Sequence, residues 1–214
     1  TQILYETQET TSYAAYAQMD YNLTDDLTLT AGLRWTREEK DFVAGQAYLS
    51  NEARQRERNF PEYAVLSQEW TELSPKIGLT YQVNDDAIAF VSYSEGFHSG
   101  GFFGVNQNIR DFERDQYDPE YAGNWEIGYK SQLLDNRMRF NVTYFRNDFE
   151  DKQESFVALD PDTKTVASVF DNAASVLYQG IEVEVQYVFN EYFRGFLNYG
   201  RLDADYEEFE TDIN

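Results

Sequence analysis

A chain of 214 residues with a formal net charge of -22 is poorly suited to binding nucleic acid, because phosphate recognition needs a basic surface. The absence of cysteine excludes disulfide bridges, thiolate metal sites and cysteine nucleophiles. Aromatic residues make up 17% of the sequence, more than acidic disordered segments contain. The chain is therefore expected to fold, and it has no apolar run of about 18 residues that would predict a transmembrane helix.

The first predicted elements form a hairpin. Apolar and polar residues alternate from Tyr13 to Tyr21 and again from Leu27 to Trp35. This period of two is typical of strands, whereas a helix repeats every 3.6 residues. Only "NLTDD" (22–26) separates the two runs, so they are predicted to pair antiparallel.

Three further hairpins follow the same plan, with turns at "NDD" (84–86), "DNR" (135–137) and "NE" (190–191). Each turn contains an asparagine, and together with the first they form an internal repeat of architecture. The four turns are therefore expected to lie at one end of a sheet. Their asparagines are Asn22, Asn84, Asn136 and Asn190.

The connections between hairpins are predicted to be long loops at the opposite end. They cover roughly 37–69, 96–123 and 150–176, with another beginning near 203, and they are polar, acidic and aromatic. Short turns on one side and long loops on the other are typical of bacterial outer-membrane barrels. A spanning strand needs only about 9–11 residues, every second one apolar.

The two faces of the predicted strands differ in polarity. One face is expected to contact lipid, through Leu29, Leu33, Val91, Ile127, Phe140, Val142, Val183 and Val185. The other is expected to face a polar lumen, through Arg34, Glu126, Lys130, Arg139, Glu182 and Glu184. Such charge is too high for the interior of a soluble sandwich, although a soluble all-β protein with one wet face remains the alternative.

Aromatic residues gather where the apolar runs end, as the interface belts of a membrane barrel do. The turn-side group is Tyr21, Tyr81, Tyr187, Tyr192 and Phe193, and the loop-side group is Trp35, Tyr93, Trp125 and Tyr144.

Four stretches resemble the β-barrel of TonB-dependent outer-membrane receptors. They are "LTLTAGLRWTREEKDF" (27–42), "LSPKIGLTYQVNDDAIAFVSYSEGFHSGGF" (73–102), "YDPEYAGNWEIGYKSQLLDNRMRFNVTYFRNDFEDKQ" (117–153) and "NAASVLYQGIEVEVQYVF" (172–189). The resemblance implies an all-β fold: an antiparallel transmembrane β-barrel segment of about eight strands, from a larger barrel of 22 strands. Residues 1–214 are then a partial barrel domain, without the plug domain and C-terminal strands of the family.

The same resemblance implies the location, the function and the partners. The location is the outer membrane of a Gram-negative bacterium, and the function is import of a scarce nutrient, with a ferric siderophore favoured by the motif style. The implied partners are the TonB complex of the inner membrane, outer-membrane lipid and lipopolysaccharide, and the small-molecule ligand. A passive porin is the alternative. No cofactor is implied.

The stretch "YSEGFHSGGF" (93–102) holds the only histidine. Its glycines are expected to let a strand bend at the rim of the lumen, which makes Phe97, His98 and Phe102 candidate ligand contacts. The alternative is a strand-end signature with no ligand role. A catalytic role is not expected, since one histidine without an oriented triad offers little for an enzyme.

Two acidic clusters, "RDFERDQYDPE" (110–120) and "DADYEEFE" (203–210), could supply oxygen ligands to a divalent cation. Neither has the glycine and terminal glutamate of an EF-hand loop. We therefore interpret both as solvated loop surface and predict no metal site. Divalent ions bridging these carboxylates to lipopolysaccharide phosphates are a second hypothesis.

Overall fold

The computed structural model describes residues 2–48, 62–103, 116–159 and 166–209. These residues form strands, turns and irregular segments, and none belongs to a helix long and apolar enough to cross a membrane. The strands are β1 (Gln2–Asn22), β2 (Leu27–Tyr48), β3 (Glu62–Asn84), β4 (Ala87–His98), β5 (Gly101–Phe102), β6 (Gln116–Tyr117), β7 (Glu120–Leu133), β8 (Met138–Leu159), β9 (Val166–Val188) and β10 (Arg194–Phe209).

Eight of the strands form one antiparallel sheet in the order β1-β2-β3-β4-β7-β8-β9-β10. Neighbours in this sheet are also neighbours in sequence, apart from the short pair β5 and β6, which forms a separate two-stranded ribbon. β1 and β10 lie at opposite edges and do not pair with each other. The predicted antiparallel segment of about eight strands is confirmed and forms an open sheet; the ribbon was not predicted.

The four short turns lie side by side at one end of the sheet, as predicted. Backbone hydrogen bonds join each turn to the next, from Gln82 N to Asp26 O (2.7 Å), from Gln132 N to Asp86 O (2.8 Å) and from Val188 N to Arg137 O (2.8 Å). We call this the turn end, and the opposite end the mouth.

Asparagine shapes these turns in two ways. The Oδ1 atoms of Asn84 and Asn190 accept hydrogen bonds from backbone N–H groups two residues on, at 2.9 Å in both cases, which stabilises a tight turn. Asn136 has a φ of 62° and Asp135 a φ of 56°. Asparagine and aspartate tolerate this left-handed backbone better than most residues.

The strand register confirms the predicted separation of the two faces. Leu29 pairs with Leu79, Leu79 with Val91, and Val91 with Ile127, and directly paired residues share a face. All eight residues expected to contact lipid share this side, which we call the apolar face. The six residues expected to face the lumen share the other side, the polar face.

The predicted loops 37–69 and 150–176, and the one beginning near 203, are largely wrong, because the strands continue through them. Tyr13 pairs with Arg37, and the pairing runs without a break to Gln2 and Tyr48. Apolar and polar residues no longer alternate there, as in Phe42, Val43 and Ala44, so the sequence loses the pattern of a half-buried strand. The ladder of backbone hydrogen bonds persists, because it needs no apolar side chain.

The long strands β8 and β9 contain one compensated irregularity. Between the pairs Phe149–Val176 and Lys152–Ala174, β8 has one extra residue, and the backbone of Asp151 takes a φ of 51°. Between Lys152–Ala174 and the next pair, which ends at Asn172, β9 has the extra residue instead. The two bulges cancel, so the strands leave this region in register.

β4 is much shorter than β3, and Pro75 marks the difference. Pairing between these two strands reaches only Lys76 and Ser94, and Pro75 is the next residue of β3. Proline has no backbone N–H to donate, so it is compatible with a position where β3 loses one partner. β4 continues to His98 against β7 and then leaves the sheet.

Candidate ligand-binding mouth

The chain that leaves β4 folds back over the polar face at the mouth. We call residues 98–103 together with 116–119 the strap; they include the ribbon of β5 and β6. Side chains from β2 and β3 hold one side of the strap, and side chains from β8 and β9 hold the other. The strap therefore crosses the polar face between strands that are not neighbours in the sheet.

Lys40 on β2 anchors the first side. Its Nζ atom donates a hydrogen bond of 2.6 Å to the carbonyl oxygen of Gly100 and lies 3.6 Å from a carboxylate oxygen of Glu38. The ring centroid of Trp70 lies 5.5 Å from the same nitrogen, which is a cation–π distance. The Ser99 hydroxyl donates to Glu38, so one carboxylate contacts both the anchor and the strap.

Burial shapes the chemistry of this anchor. Lys40 is only 6% exposed. Its pKa is lowered from the ordinary 10.5, mainly because burial disfavours the charged ammonium form. The negative charge of Glu38 and a hydrogen bond to its carboxylate partly oppose this shift. A buried lysine with one carboxylate and one carbonyl as partners is a structural anchor rather than a free cation for a ligand.

Gln153 and Asn172, a directly paired couple on β8 and β9, hold the second side. The Gln153 Nε2 atom donates to the carbonyl oxygens of Ser99 (3.1 Å) and Asp118 (3.0 Å). Asn172 donates to the Asp118 carbonyl at 2.8 Å and accepts from the Asp118 N–H at 2.6 Å. Two amide side chains thus satisfy backbone groups of the strap that no strand partner reaches.

Aromatic rings attach the strap to both walls. The ring of Phe102 stacks on Phe42 of β2, with centroids 5.4 Å apart. On the other side Phe103 stacks on Phe170 of β9 at 5.7 Å, and Tyr117 meets Phe170 edge to face at 4.6 Å. Phe42 and Phe102 are buried beside Ala44. Phe103, Tyr117 and Phe170 are only half-buried, so these three rings give the polar face an aromatic lining at the mouth.

Gly100 and Gly101 are required by close packing rather than by a bend. No described glycine has a positive φ. A Cβ atom at Gly100 would overlap the Tyr117 carbonyl oxygen and lie 2.9 Å from Trp70, and one at Gly101 would overlap the Tyr117 hydroxyl. The expectation that glycines bend the strand end is wrong at Gly96, where β4 continues in regular pairing.

The structure places the three predicted contact residues in different surroundings. Phe102 is buried in the strap. Phe97 and His98 are successive residues of β4, so their side chains point to opposite faces. His98 lies on the polar face and is exposed, while Phe97 is half-buried. The three residues do not converge on one point.

The residues that hold the strap were missed in the sequence. Lys40, Phe42 and Ala44 continue the polar-face positions of β2, so extending the alternation beyond Trp35 would have assigned them to that face. Nothing in the sequence marks Gln153 or Asn172, because their partners in the strap are backbone atoms more than 30 residues away.

The acidic clusters are only partly described. Asp111, Glu113, Asp115 and Glu210 lie outside the described residues. The rest of the second cluster belongs to β10 and is exposed, so it is a strand edge rather than the predicted loop. Among the described residues, no group of three or more histidine, aspartate or glutamate side chains is placed to hold a metal ion.

A sheet with one apolar face, short turns at one end and a polar mouth at the other defines the wall of an outer-membrane β-barrel. Residues 2–214 match the family described as TonB dependent receptor-like, beta-barrel. The chain belongs to this family, whose members lie in the outer membrane of Gram-negative bacteria. The polar face is accordingly the lumen side, and the mouth is the extracellular end.

Similar curated proteins include a ferric-pyoverdine receptor and a probable siderophore receptor. The ferric-pyoverdine 358 receptor of Pseudomonas putida is 26% identical over 166 residues, which cover 77% of this chain and 18% of that protein. The probable TonB-dependent siderophore receptor PiuA of Acinetobacter baumannii is 26% identical over 181 residues, covering 81% and 22%. The chain spans about a fifth of the length of these relatives.

Solved structures share the fold. The ferric yersiniabactin uptake receptor FyuA of Yersinia pestis superposes with a TM-score of 0.73 at 17% identity, covering 95% of this chain and 28% of that one. The siderophore receptor PiuA of Acinetobacter baumannii gives 0.71 at 19% identity, covering 97% and 27%. The eight strands described above are therefore a segment of such a wall.

Proposed function

We propose that this chain is a partial β-barrel domain of a receptor that imports a ferric siderophore across the outer membrane. The observation that carries the proposal is the strap, which brings the half-buried rings of Phe103, Tyr117 and Phe170 together at the mouth in a chain of the TonB-dependent receptor family. The names of the similar curated proteins, which are ferric-pyoverdine and siderophore receptors, support the same substrate class.

The chemistry of the mouth supports a large ligand that carries a metal ion. Aromatic rings provide flat apolar contact area for the organic part of a chelate. The net charge of -22 favours a cationic or metal-bearing ligand over an anionic one. Exposed His98 is the proposed direct contact. Phe102, buried in the strap, is proposed to act on the ligand through the shape of the strap. Phe97 lies on the face opposite His98 and is proposed to act only indirectly, through the position of β4.

We propose that transport draws on the TonB complex of the inner membrane and that the receptor carries out no chemical conversion of its ligand. The family consists of transport receptors. Coupling requires segments that contact the inner-membrane complex, so the relevant protein for every functional test is the full-length receptor.

Uptake of radioactive iron by cells that express the full-length receptor tests the proposal. Cells supplied with a panel of purified ferric siderophores should accumulate iron with at least one of them, and deletion of the TonB complex should abolish the uptake. Uptake that persists unchanged after the deletion would support the passive porin instead. Uptake with no siderophore of the panel would contradict the substrate class.

Substitution at His98 tests the proposed contact. His98→Ala should weaken binding of the accepted siderophore about tenfold, since one lost polar contact is worth on the order of 1–2 kcal/mol. Glu95→Ala is the matched control, because Glu95 is exposed on the same strand but lies on the apolar face. Equal affinity of the His98 variant and the control variant would remove His98 from the site.

A further inference from the structure

The lumen side of the barrel wall carries a row of polar side chains that lies further from the mouth than the strap. Ser94, Asn124, Asn147 and Tyr178 stand on β4, β7, β8 and β9, and each pairs directly with the next. All four lie on the polar face, because Ser94 also pairs with Lys76 of that face. We call these four residues the lumen row.

The position of the lumen row follows from the strand geometry. Tyr178 is six residues further from the mouth on β9 than Asn172, which holds the strap. At the usual rise of about 3.3 Å per residue, the row therefore lies about 20 Å along the strand from that anchor. Neighbouring strands are about 4.8 Å apart, so the four side chains span about 15 Å of the wall. This span is wide enough for several groups of one organic ligand to contact the row together.

The wall does not use the hydrogen-bonding capacity of the lumen row. The Oδ1 atoms of Asn124 and Asn147 are buried and accept no hydrogen bond within the part of the chain that the structure describes. Buried polar atoms without a partner are rare in folded proteins. Both residues as a whole are only half-buried, so a turn of the amide group about its last side-chain bond brings the oxygen to the lumen. The two amides are therefore available to a ligand.

Aromatic and small residues border the lumen row on both sides. Toward the mouth, Phe149 pairs with Val176, and its ring meets that of Tyr178 edge to face with centroids 5.4 Å apart. Toward the turn end, the ring of Phe145 lies over Gly180, where an added Cβ atom would come within 2.7 Å of it. The row itself contains no carboxylate. An apolar surface with a few hydrogen-bonding groups set into it is typical of a site for an organic ligand.

We infer that the lumen row binds the amide-linked scaffold of a peptide-like siderophore, an inference that rests on the proposed function. Asparagine offers one acceptor oxygen and two N–H donors, and the hydroxyls of serine and tyrosine both donate and accept. Such a neutral row matches the neutral part of an iron chelate, which joins the chelating groups. An amide scaffold carries one N–H donor and one C=O acceptor in each link. A chelate without amides has no N–H donor for the two asparagine oxygens.

Iron uptake by cells that express the full-length receptor separates this inference from the proposed function. Radioactive iron is supplied either as a panel of ferric pyoverdines, whose chelating groups are joined by a peptide, or as ferric citrate, which has no amide. Uptake should occur with at least one ferric pyoverdine and not with ferric citrate. Uptake with ferric citrate alone, or equally with both, would overturn the inference and leave the proposed function standing. Uptake with neither, and with no other siderophore of the panel described above, would contradict the proposed function itself.

Substitution of the two asparagines tests the contact itself. Asn124 and Asn147 are replaced together by leucine, which has a similar volume but no hydrogen-bonding group. Binding of the transported ferric pyoverdine to the purified full-length receptor should weaken about tenfold, since hydrogen bonds to the ligand are lost. The midpoint of unfolding in detergent should not fall, because the two oxygens lose no partner within the protein. A lower midpoint with unchanged affinity would overturn the inference, since the row would then serve the fold.

Asn141 and Asn198, replaced together by leucine, are the matched control. Both pair with Glu184 on the polar face, and Asn141 lies six residues nearer the turn end than Asn147 on the same strand. This control should leave the affinity unchanged, and an equal loss of affinity in the two double variants would overturn the inference. If the Asn124 and Asn147 variant does not fold, Tyr178→Phe, which removes one hydroxyl, should still weaken binding about threefold. Unchanged affinity in that variant would then overturn the inference.

Discussion

The ammonium group of Lys40 donates a 2.6 Å hydrogen bond to the carbonyl oxygen of Gly100, 60 residues further along the chain. Both groups are buried, and the contact fixes the strap to β2 on the lumen side. An exposed hydrogen bond could break and re-form with water at little cost, whereas loss of this one leaves a buried carbonyl without its donor. Lys40 is therefore one of the anchors of the strap at this wall, together with Glu38, which accepts from Ser99, and Phe42, which stacks on Phe102.

Lys40→Met should loosen the strap without unfolding the barrel. Methionine fills similar volume but cannot donate to Gly100. We expect backbone amides of residues 98–103 to exchange with deuterium about tenfold faster in the full-length receptor, corresponding to a loss of about 1.4 kcal/mol. Lys76→Met is the control, because Lys76 lies exposed on the polar face of β3. Unchanged exchange in the Lys40 variant would show that the other contacts hold the strap alone.

The same lysine predicts a pH dependence. Burial lowers the pKa of Lys40 in the folded protein. As the pH approaches 10.5, this lysine therefore holds its proton more often in the unfolded chain than in the folded protein. The free energy of unfolding of the wild type should therefore rise relative to that of Lys40→Met when the pH increases from neutral toward 10.5. Denaturant titrations of both proteins at several pH values measure this difference. If the free energy of unfolding of the wild type instead fell relative to that of Lys40→Met as the pH rises, burial would not disfavour the ammonium form of Lys40.

Gly100→Ala should destabilise the mouth, and Gly96→Ala should not. An added Cβ at Gly100 overlaps the Tyr117 carbonyl oxygen, whereas one at Gly96 meets no atom within 4 Å. We expect the Gly100 variant to lose about 1–3 kcal/mol from overpacking, seen as a lower midpoint of unfolding in detergent. Comparable loss in both variants would indicate that backbone flexibility, rather than space, explains these glycines.

Val142→Arg should impair refolding into bilayers far more than Asn141→Arg. Val142 pairs with Val183 on the apolar face, where an arginine at the bilayer midplane costs about 2–4 kcal/mol. Asn141 lies on the polar face and donates to Glu184 at 3.1 Å, so an arginine there finds a carboxylate. The yield of folded protein after dilution from urea measures the effect. Equal yields would refute the assignment of the two faces.

The sequence predicted the membrane-spanning part of the fold well, because there one face of each strand contacts lipid and the other faces the polar lumen. Leu29, Val91 and Ile127 must contact lipid, and their alternation with polar residues is a direct record of that. Beyond Trp35 both faces meet water or other protein, so the residues no longer alternate although the strands continue. The mouth could not be predicted for a different reason: Gln153 and Asn172 bind backbone atoms, and backbone atoms leave no pattern in a sequence.

The paired bulges of β8 and β9 indicate which insertions and deletions the strands of this barrel wall can tolerate. Because one inserted residue reverses the facing of everything beyond it on its strand, the extra residue of β8 near Asp151 is tolerated together with the extra residue of β9 between Ala174 and Asn172. Insertions and deletions in this wall should thus survive when they come as matched changes on two adjacent strands. Gln153 and Asn172 lie just beyond the bulges. Their side chains remain on the face of the sheet that contacts the strap only when the changes on the two strands are matched.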